Sequence, residues 1–260
     1  MTSNLQDPQA NLHAASEGNN AGLGALDEVR ADLLAGAWVG RLHRRVDRTL
    51  VPSTSSYRQL AALGVGDLHL WRRGVSLDLF GPARRSAALH ERWAPGGETL
   101  VGYVGRLAPE KQVRRLVEVS RLPGVRVVVV GDGPMLPELR RRYPDVHFAG
   151  SQTGEALSRY YAAADVFVFP SLTDTFGIVL IEALACGVPV AAYPEPGPLD
   201  VVGNTKAGCI SSDLREACLA ALTLERADAL ERSLAYSWEA CADIFLSATE
   251  ALQVQPELQL

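Results

Sequence analysis

The sequence is poor in lysine: of its 25 basic residues only Lys111 and Lys206 are lysines, and the other 23 are arginines. Basic charge is also outnumbered, 25 Lys and Arg against 30 Asp and Glu, for a formal net charge of −5. Nucleic-acid affinity rests on a basic surface, so this balance argues against a nucleic-acid partner. The cysteines are Cys186, Cys209, Cys218 and Cys241, with no C-x-x-C pair and no framework spacing. They read as small apolar thiols of a reducing cytoplasm, not as staples or zinc ligands. No apolar run approaches ~18 residues, which excludes a membrane-spanning helix. The opening MTSNLQDPQANLHAASEGNNAG has neither the charged nor the apolar region of a signal peptide. No D-x-D occurs, which argues against a metal bridging nucleotide phosphates through paired aspartates. No G-x-S-x-G elbow occurs either, and His13, His43, His69, His90 and His147 are scattered without ligand spacing.

What is present describes an ordinary globular chain, 47% apolar and 21% charged over 260 residues. That is enough for one domain of about 150 residues and a substantial extra piece. Residues 1–27, rich in Asn, Gln, Ser, Ala and Gly, show no period and read as disordered or weakly helical. Residues 28–46 fit an amphipathic helix with Arg30, Arg41, Arg44 and Arg45 on polar positions, a solvated connecting helix in preference to a membrane-surface one. RTLVPS predicts a strand ending at Pro52, and Ser53 or Thr54 would cap a helix running to about Leu63. LHLWRRGV predicts another strand, and a helix follows around 84–92.

After the turn chemistry of WAPGGE, apolar strands at 99–105, 125–131, 146–150, 165–171, 188–193 and 207–211 alternate with helical segments at 110–121, 134–142, 154–163 and 177–186. Most of these strands are continuous apolar runs, the mark of burial on both faces. The fold class is therefore α/β, a doubly wound parallel sheet, closed by helical C-terminal residues 213–252.

In such a sheet, ligands bind beyond the carboxyl ends of the strands, where helix N-termini point. Three strand ends stand out. In G-R-L-A-P-E-K, Arg106 follows Gly105 and Lys111 sits in the first turn opened by Pro109, so a planar fork and a point charge can converge on one polyanion. A solvated loop with two chance cations is the bland reading. In VVVVGDGP, Gly131 and Gly133 allow a tight turn or close approach of a ligand, without the spacing of a dinucleotide fingerprint. In PSLTDTFGIVLIEALACG, a helix begins near Gly177, where amides and dipole make an anion site. Asp174 could be an N-cap. Glu182 lies in a helix apolar nearly all round, where a carboxylate needs a partner or a ligand.

Together, LVPSTSS, WRRGVSLDLFGP, VGRLAPEKQV, VVVVGDGP, FAGSQTGEAL and PSLTDTFGIVLIEALACGVPVAAY resemble the donor-binding half of a GT-B retaining glycosyltransferase of the group 1 family, and most nearly bacterial GDP-mannose-dependent α-mannosyltransferases. The resemblance covers about residues 46–252 and implies a Rossmann-like domain that binds a nucleotide sugar, GDP-mannose for preference. It implies transfer to a lipid or glycan acceptor, without metal or other cofactor, in the cytoplasm or at the inner face of the membrane. By the same resemblance Arg106 and Lys111 would neutralise the donor diphosphate, and Asp174, at the first carboxylate of the E-x7-E motif, would contact the sugar. Phe176 and Gly177 would supply amides, and Glu182 would accept from the ribose hydroxyls. Gly105, Gly131, Gly133, Thr175, Ile178 and Val179 would line the donor site. Asp174 stands where Glu is commoner, and Ser76 where R-G-V-D is expected.

The implied domains are 28–70, a remnant of the N-terminal domain with its linker, 71–235 for donor binding, and 236–260, a crossing helix with apolar Trp238, Cys241, Phe245 and Leu246. With fewer than 50 residues ahead of the resemblance, a truncated N-terminal domain is expected, and with it self-association or a companion subunit. The competing function is a non-catalytic nucleotide-sugar-binding module, separated from an enzyme by turnover of the donor.

Overall fold

The computed structural model describes residues 36–174 and 176–253, so the expectations for 1–27, for the first part of the 28–46 helix and for Thr175 lie outside the described residues. The chain divides into two compact units, one of residues 1–49 and 58–68, the other of 50–57 and 69–260.

In the first unit residues 36–43 are helical. The Arg44 guanidinium donates to the Leu63 carbonyl at 2.7 Å, and Arg48 pairs with Asp67 at 2.9 Å. The division cuts through the next three elements, strand β1 (Thr49–Val51), helix α1 (Thr54–Ala62) and strand β2 (Leu68–Leu70), of which β1 pairs with β2. Ser53 starts that helix as expected, its Oγ accepting from the Ser56 amide at 3.1 Å. β2 stops at Leu70, short of the strand expected over LHLWRRGV.

The second unit is an α/β sheet. Helix α2 (Ala87–Trp93) is followed by β3 (Thr99–Val104), α3 (Leu116–Ser120), β4 (Val125–Val130), α4 (Leu136–Arg142), β5 (His147–Gly150), α5 (Gly154–Ala163), β6 (Val166–Phe169) and α6 (Ile178–Ala185). Then come β7 (Val190–Ala192), α7 (Pro196–Val201), β8 (Gly208–Ile210), α8 (Leu214–Ala221), α9 (Arg226–Leu234) and α10 (Trp238–Gln253). The six strands β3 to β8 are all parallel, in the order β5-β4-β3-β6-β7-β8.

The apolar runs are explained by helices on both faces. Along β4, Val127 and Val129 join a core with Leu116, Val119, Leu139 and Leu214, whereas Val128 and Val130 face Trp93, Leu100 and Ala163. Along β6, Val166 and Val168 enter the first of these cores, and Phe167 and Phe169 pack with Tyr161, Leu180, Ile181 and Leu184. Side chains alternate across a strand, so a strand buried on both faces must be apolar throughout.

One helical expectation is corrected. The 110–121 stretch is not one helix: Pro109–Lys111 and Val113–Arg115 are separate 3-10 turns, and only Leu116–Ser120 is α-helical. Gln112, between the turns, is left-handed at φ 52°, which no α-helix tolerates. The C-terminal stretch is three helices, the first capped by Asp213, whose carboxylate accepts from the Arg215 amide at 2.8 Å. Ser76, in the place of the expected aspartate, still serves its turn by accepting from the Leu79 amide at 3.4 Å.

Candidate functional site

The strand order reverses between β3 and β6, so the crevice of this sheet opens beyond their carboxyl ends. Both singled-out loops issue there. After β3, the Gly105 amide donates to the Val130 carbonyl at 3.0 Å, the Leu107 amide to Asp132 at 2.9 Å, and the Met135 amide back to Leu107 at 3.0 Å. The loops after β3 and β4 are thus zipped backbone to backbone. This contact requires Gly131 and Gly133, since a Cβ on Gly131 would overlap the Gly105 carbonyl and one on Gly133 the Leu107 backbone. The two glycines stand behind the loop that carries Arg106 and are absent from the cavity lining.

Arg106 projects outward, its side chain 68% exposed and 3.9 Å from the Glu110 carboxylate, and its carbonyl accepts from the Tyr103 hydroxyl at 3.2 Å. Lys111 closes the short turn opened by Pro109, and its Nζ reaches Asp174 Oδ1 at 2.5 Å. Asp174 is therefore no helix cap: it holds the ammonium of a residue 63 positions earlier in the chain.

The cap position of α6 falls to Gly177, at φ 80°, where a side chain would be strained; among the described residues no side chain accepts from the Ile178 or Val179 amide, and the Leu180 amide donates to the Gly177 carbonyl at 3.0 Å. Asp174 and Phe176 are backed by α7, because a Cβ on Gly197 would lie 2.9 Å from their carbonyls. Phe176 is buried against Tyr236, with ring centroids 6.1 Å apart.

Gly105, Arg106, Lys111, Asp174, Gly177, Ile178 and Val179 line one cavity of about 270 Å³. Tyr103, Val104, Phe169 and Ser171 complete the lining. Tyr103 was legible only as part of an apolar run. Its phenol is pushed above the ordinary tyrosine value, first by burial and then by the charges of Asp174 and Glu110. Ser171 is 2% exposed, and its Oγ has no hydrogen-bond partner among the described residues. Its one sequence signal is its place just after Pro170 at a strand end.

Glu182, expected to need a partner or a ligand, has a partner. Its carboxylate is not isolated in the apolar helix, because the Tyr161 hydroxyl, from α5, donates to Oε2 at 2.7 Å. Burial holds the Glu182 carboxyl above its ordinary value, and the hydrogen bond from Tyr161 works in the opposite direction. The Tyr161 phenol is pushed well up, by its own burial first and then by the neighbouring Glu182 charge. Among the described residues, no group of three or more His, Cys, Asp or Glu side chains is placed to hold a metal ion.

A parallel sheet whose switch point brings two cations, a carboxylate and a helix N-terminus into one cavity has the chemistry of an anion site. The family follows from the sequence: residues 87–223, just over half of the chain, match the model for glycosyl transferases group 1, and the chain belongs to that family. A GDP-mannose-dependent alpha-mannosyltransferase of Mycobacterium tuberculosis (strain CDC 1551 / Oshkosh) is 43% identical over 176 residues, 68% of this chain and 47% of the relative. A protein of the same description from Corynebacterium glutamicum is 37% identical over 210 residues, 79% of this chain and 51% of the relative. The chain thus spans about half the length of the curated relatives it matches. Among solved structures, sucrose-phosphate synthase from Thermosynechococcus elongatus superposes with a TM-score of 0.71 at 27% identity, over 82% of this chain and 60% of that one. HepE from Anabaena, in complex with UDP and glucose, superposes with a TM-score of 0.66 at 20% identity, over 82% of this chain and 65% of that one, a likeness of fold. That shared fold is the Rossmann-like half of GT-B glycosyltransferases.

Proposed function

We propose that this chain forms the donor-binding part of a retaining glycosyltransferase that moves mannose from GDP-mannose to a lipid or glycan acceptor on the cytoplasmic side. One observation carries the reading: Lys111, Asp174 and the N-terminus of α6 meet in one cavity at the switch point of the sheet. The donor preference draws support from relatives described as GDP-mannose-dependent.

In this reading Lys111 and Arg106 face the diphosphate, with the amides of Phe176 and Gly177, Ile178 and Val179 beside it. As the bond from the sugar C1 to the diphosphate oxygen breaks, its electron pair stays on that oxygen, and the fixed cations and helix dipole stabilise the charge that develops. The acceptor oxygen forms the new bond to C1, and its proton passes to the departing diphosphate oxygen. Asp174 meets the sugar hydroxyls and holds Lys111 in place, Glu182 accepts from the ribose, and Gly131 and Gly133 keep the Arg106 loop in position. Charge stabilisation of this kind assigns no step to a metal.

Calorimetric titration with GDP and UDP, each with and without EDTA, tests the proposal. GDP should bind more tightly than UDP in both conditions, and Lys111→Ala should weaken it by about 1.5–3 kcal/mol, the range for hydrogen bonds to charged groups. Unchanged affinity in the Lys111 variant would defeat the assignment of the site. Preference for UDP would defeat the mannosyl donor. A GDP-mannose turnover assay checks the transfer itself.

A further inference from the structure

The rings of Phe80 and Phe167 pack against Tyr161, at centroid distances of 5.8 and 5.5 Å, and the residue is 2% exposed. Phenylalanine would fill that space equally well, so the hydroxyl calls for a reason of its own. A buried hydroxyl costs free energy unless it is bonded. Its partner is Glu182 Oε2 at 2.7 Å, and burial raises the Glu182 carboxyl while this bond works against it.

The other oxygen, Oε1, is differently placed. Among the described residues only Ser171 Oγ is both sealed from solvent and unbonded, so Oε1 keeps access to solvent. Helical side chains lean toward the N-terminus, which for position 182 is the Ile178–Val179 turn; those two residues line the cavity and Glu182 lies one turn behind them, outside its lining.

We infer that Tyr161 is a positioning residue: it anchors Glu182 by Oε2 and so presents Oε1 as a preset acceptor for the vicinal hydroxyls of a bound nucleoside. This rests on the assignment of Glu182 to the ribose made above. A carboxylate already held by a rigid, buried donor loses less rotational freedom when the ligand arrives.

The test compares three probes, GDP, GDP lacking both ribose hydroxyls, and inorganic pyrophosphate, by calorimetry on the parent, Tyr161→Phe, Glu182→Gln and the double variant. The parent should prefer GDP over its dideoxy analogue by about tenfold, the scale of one hydrogen bond to a charged group. Tyr161→Phe keeps both ring contacts and should fold. It should remove most of that preference, leave pyrophosphate affinity unchanged, and add nothing in the Glu182→Gln background. A merely structural tyrosine would shift all three probes together. If Glu182→Gln abolishes the preference while Tyr161→Phe retains it, the positioning role is overturned and the ribose assignment stands. If Glu182→Gln leaves the preference intact, the ribose assignment falls and takes the positioning role with it.

Discussion

At Glu182 burial and charge work against each other, and the conflict has a measurable pH signature. Unfolded, the carboxyl would titrate at its ordinary value of 4.5; folded, burial holds it higher. The native state therefore binds that proton more tightly than the unfolded chain does. Its favourable contribution is complete below the ordinary value and is lost as pH rises through the folded one. Above the folded value the carboxyl is therefore a cost to stability. Glu182→Gln keeps an oxygen that can accept from Tyr161 and removes the charge, so it should melt no lower than the parent at pH 7. Any advantage should shrink toward about pH 4, as the parent carboxyl takes up its proton. Thermal unfolding at both pH values measures this. A clear loss of melting temperature at pH 7 would mark the carboxylate as a structural necessity, against the ligand role proposed for it.

At the scale of elements, the loops after β3 and β4 behave as one piece, because their backbones meet where side chains are missing. Gly133→Ala would drive a Cβ into the Leu107 backbone, which has no flexible end to yield. We expect a loss of about 1–3 kcal/mol, as for overpacking elsewhere, with weaker GDP binding as the Arg106 loop shifts. Urea denaturation of the variant decides it: a stability equal to the parent would show that the two loops can part without cost.

The same elements show what could be read in advance. The six strands of the main sheet lie within their apolar runs, because burial on both faces writes a continuous signal into the sequence. The break at Gln112 left no such signal, since no glycine or proline announces that left-handed residue. Arg106, Lys111, Asp174 and Gly177 stood out singly by residue type and place at a strand end. The pairing of Lys111 with Asp174, across 63 residues, and that of Tyr161 with Glu182, across 21, are products of tertiary packing, which no local pattern encodes.

Across the larger unit, the C-terminal helix is tied to the candidate site through a short chain of aromatic residues. Trp71 donates from its indole to the Cys241 carbonyl at 3.0 Å and packs against Phe245 at 5.2 Å. Trp238 covers Gly74, where a Cβ would come within 2.5 Å of the indole ring. Some of the apolar set expected on this helix is thus satisfied within the unit, while Trp238 and Leu246 remain more than half exposed. Next to this contact the Val75 amide donates to the Tyr236 carbonyl at 2.8 Å. Tyr236 is fully buried, its hydroxyl donates to the Asp200 carbonyl at 3.1 Å, and its ring meets Phe176, one residue before the cap of α6. Removing that ring should therefore act twice. Tyr236→Ala should cost about 3–5 kcal/mol, the range for deleting a buried aromatic, and should weaken GDP binding because Phe176 loses the surface it rests on. Tyr236→Phe, which keeps the ring and loses the hydroxyl's bonds, should cost about 1 kcal/mol and leave binding near the parent's. Urea denaturation and calorimetry on the pair separate the two effects. If Tyr236→Ala is destabilised yet binds GDP as tightly as Tyr236→Phe, the loop at Phe176 holds its shape without the aromatic support, and the C-terminal helix is not coupled to the site.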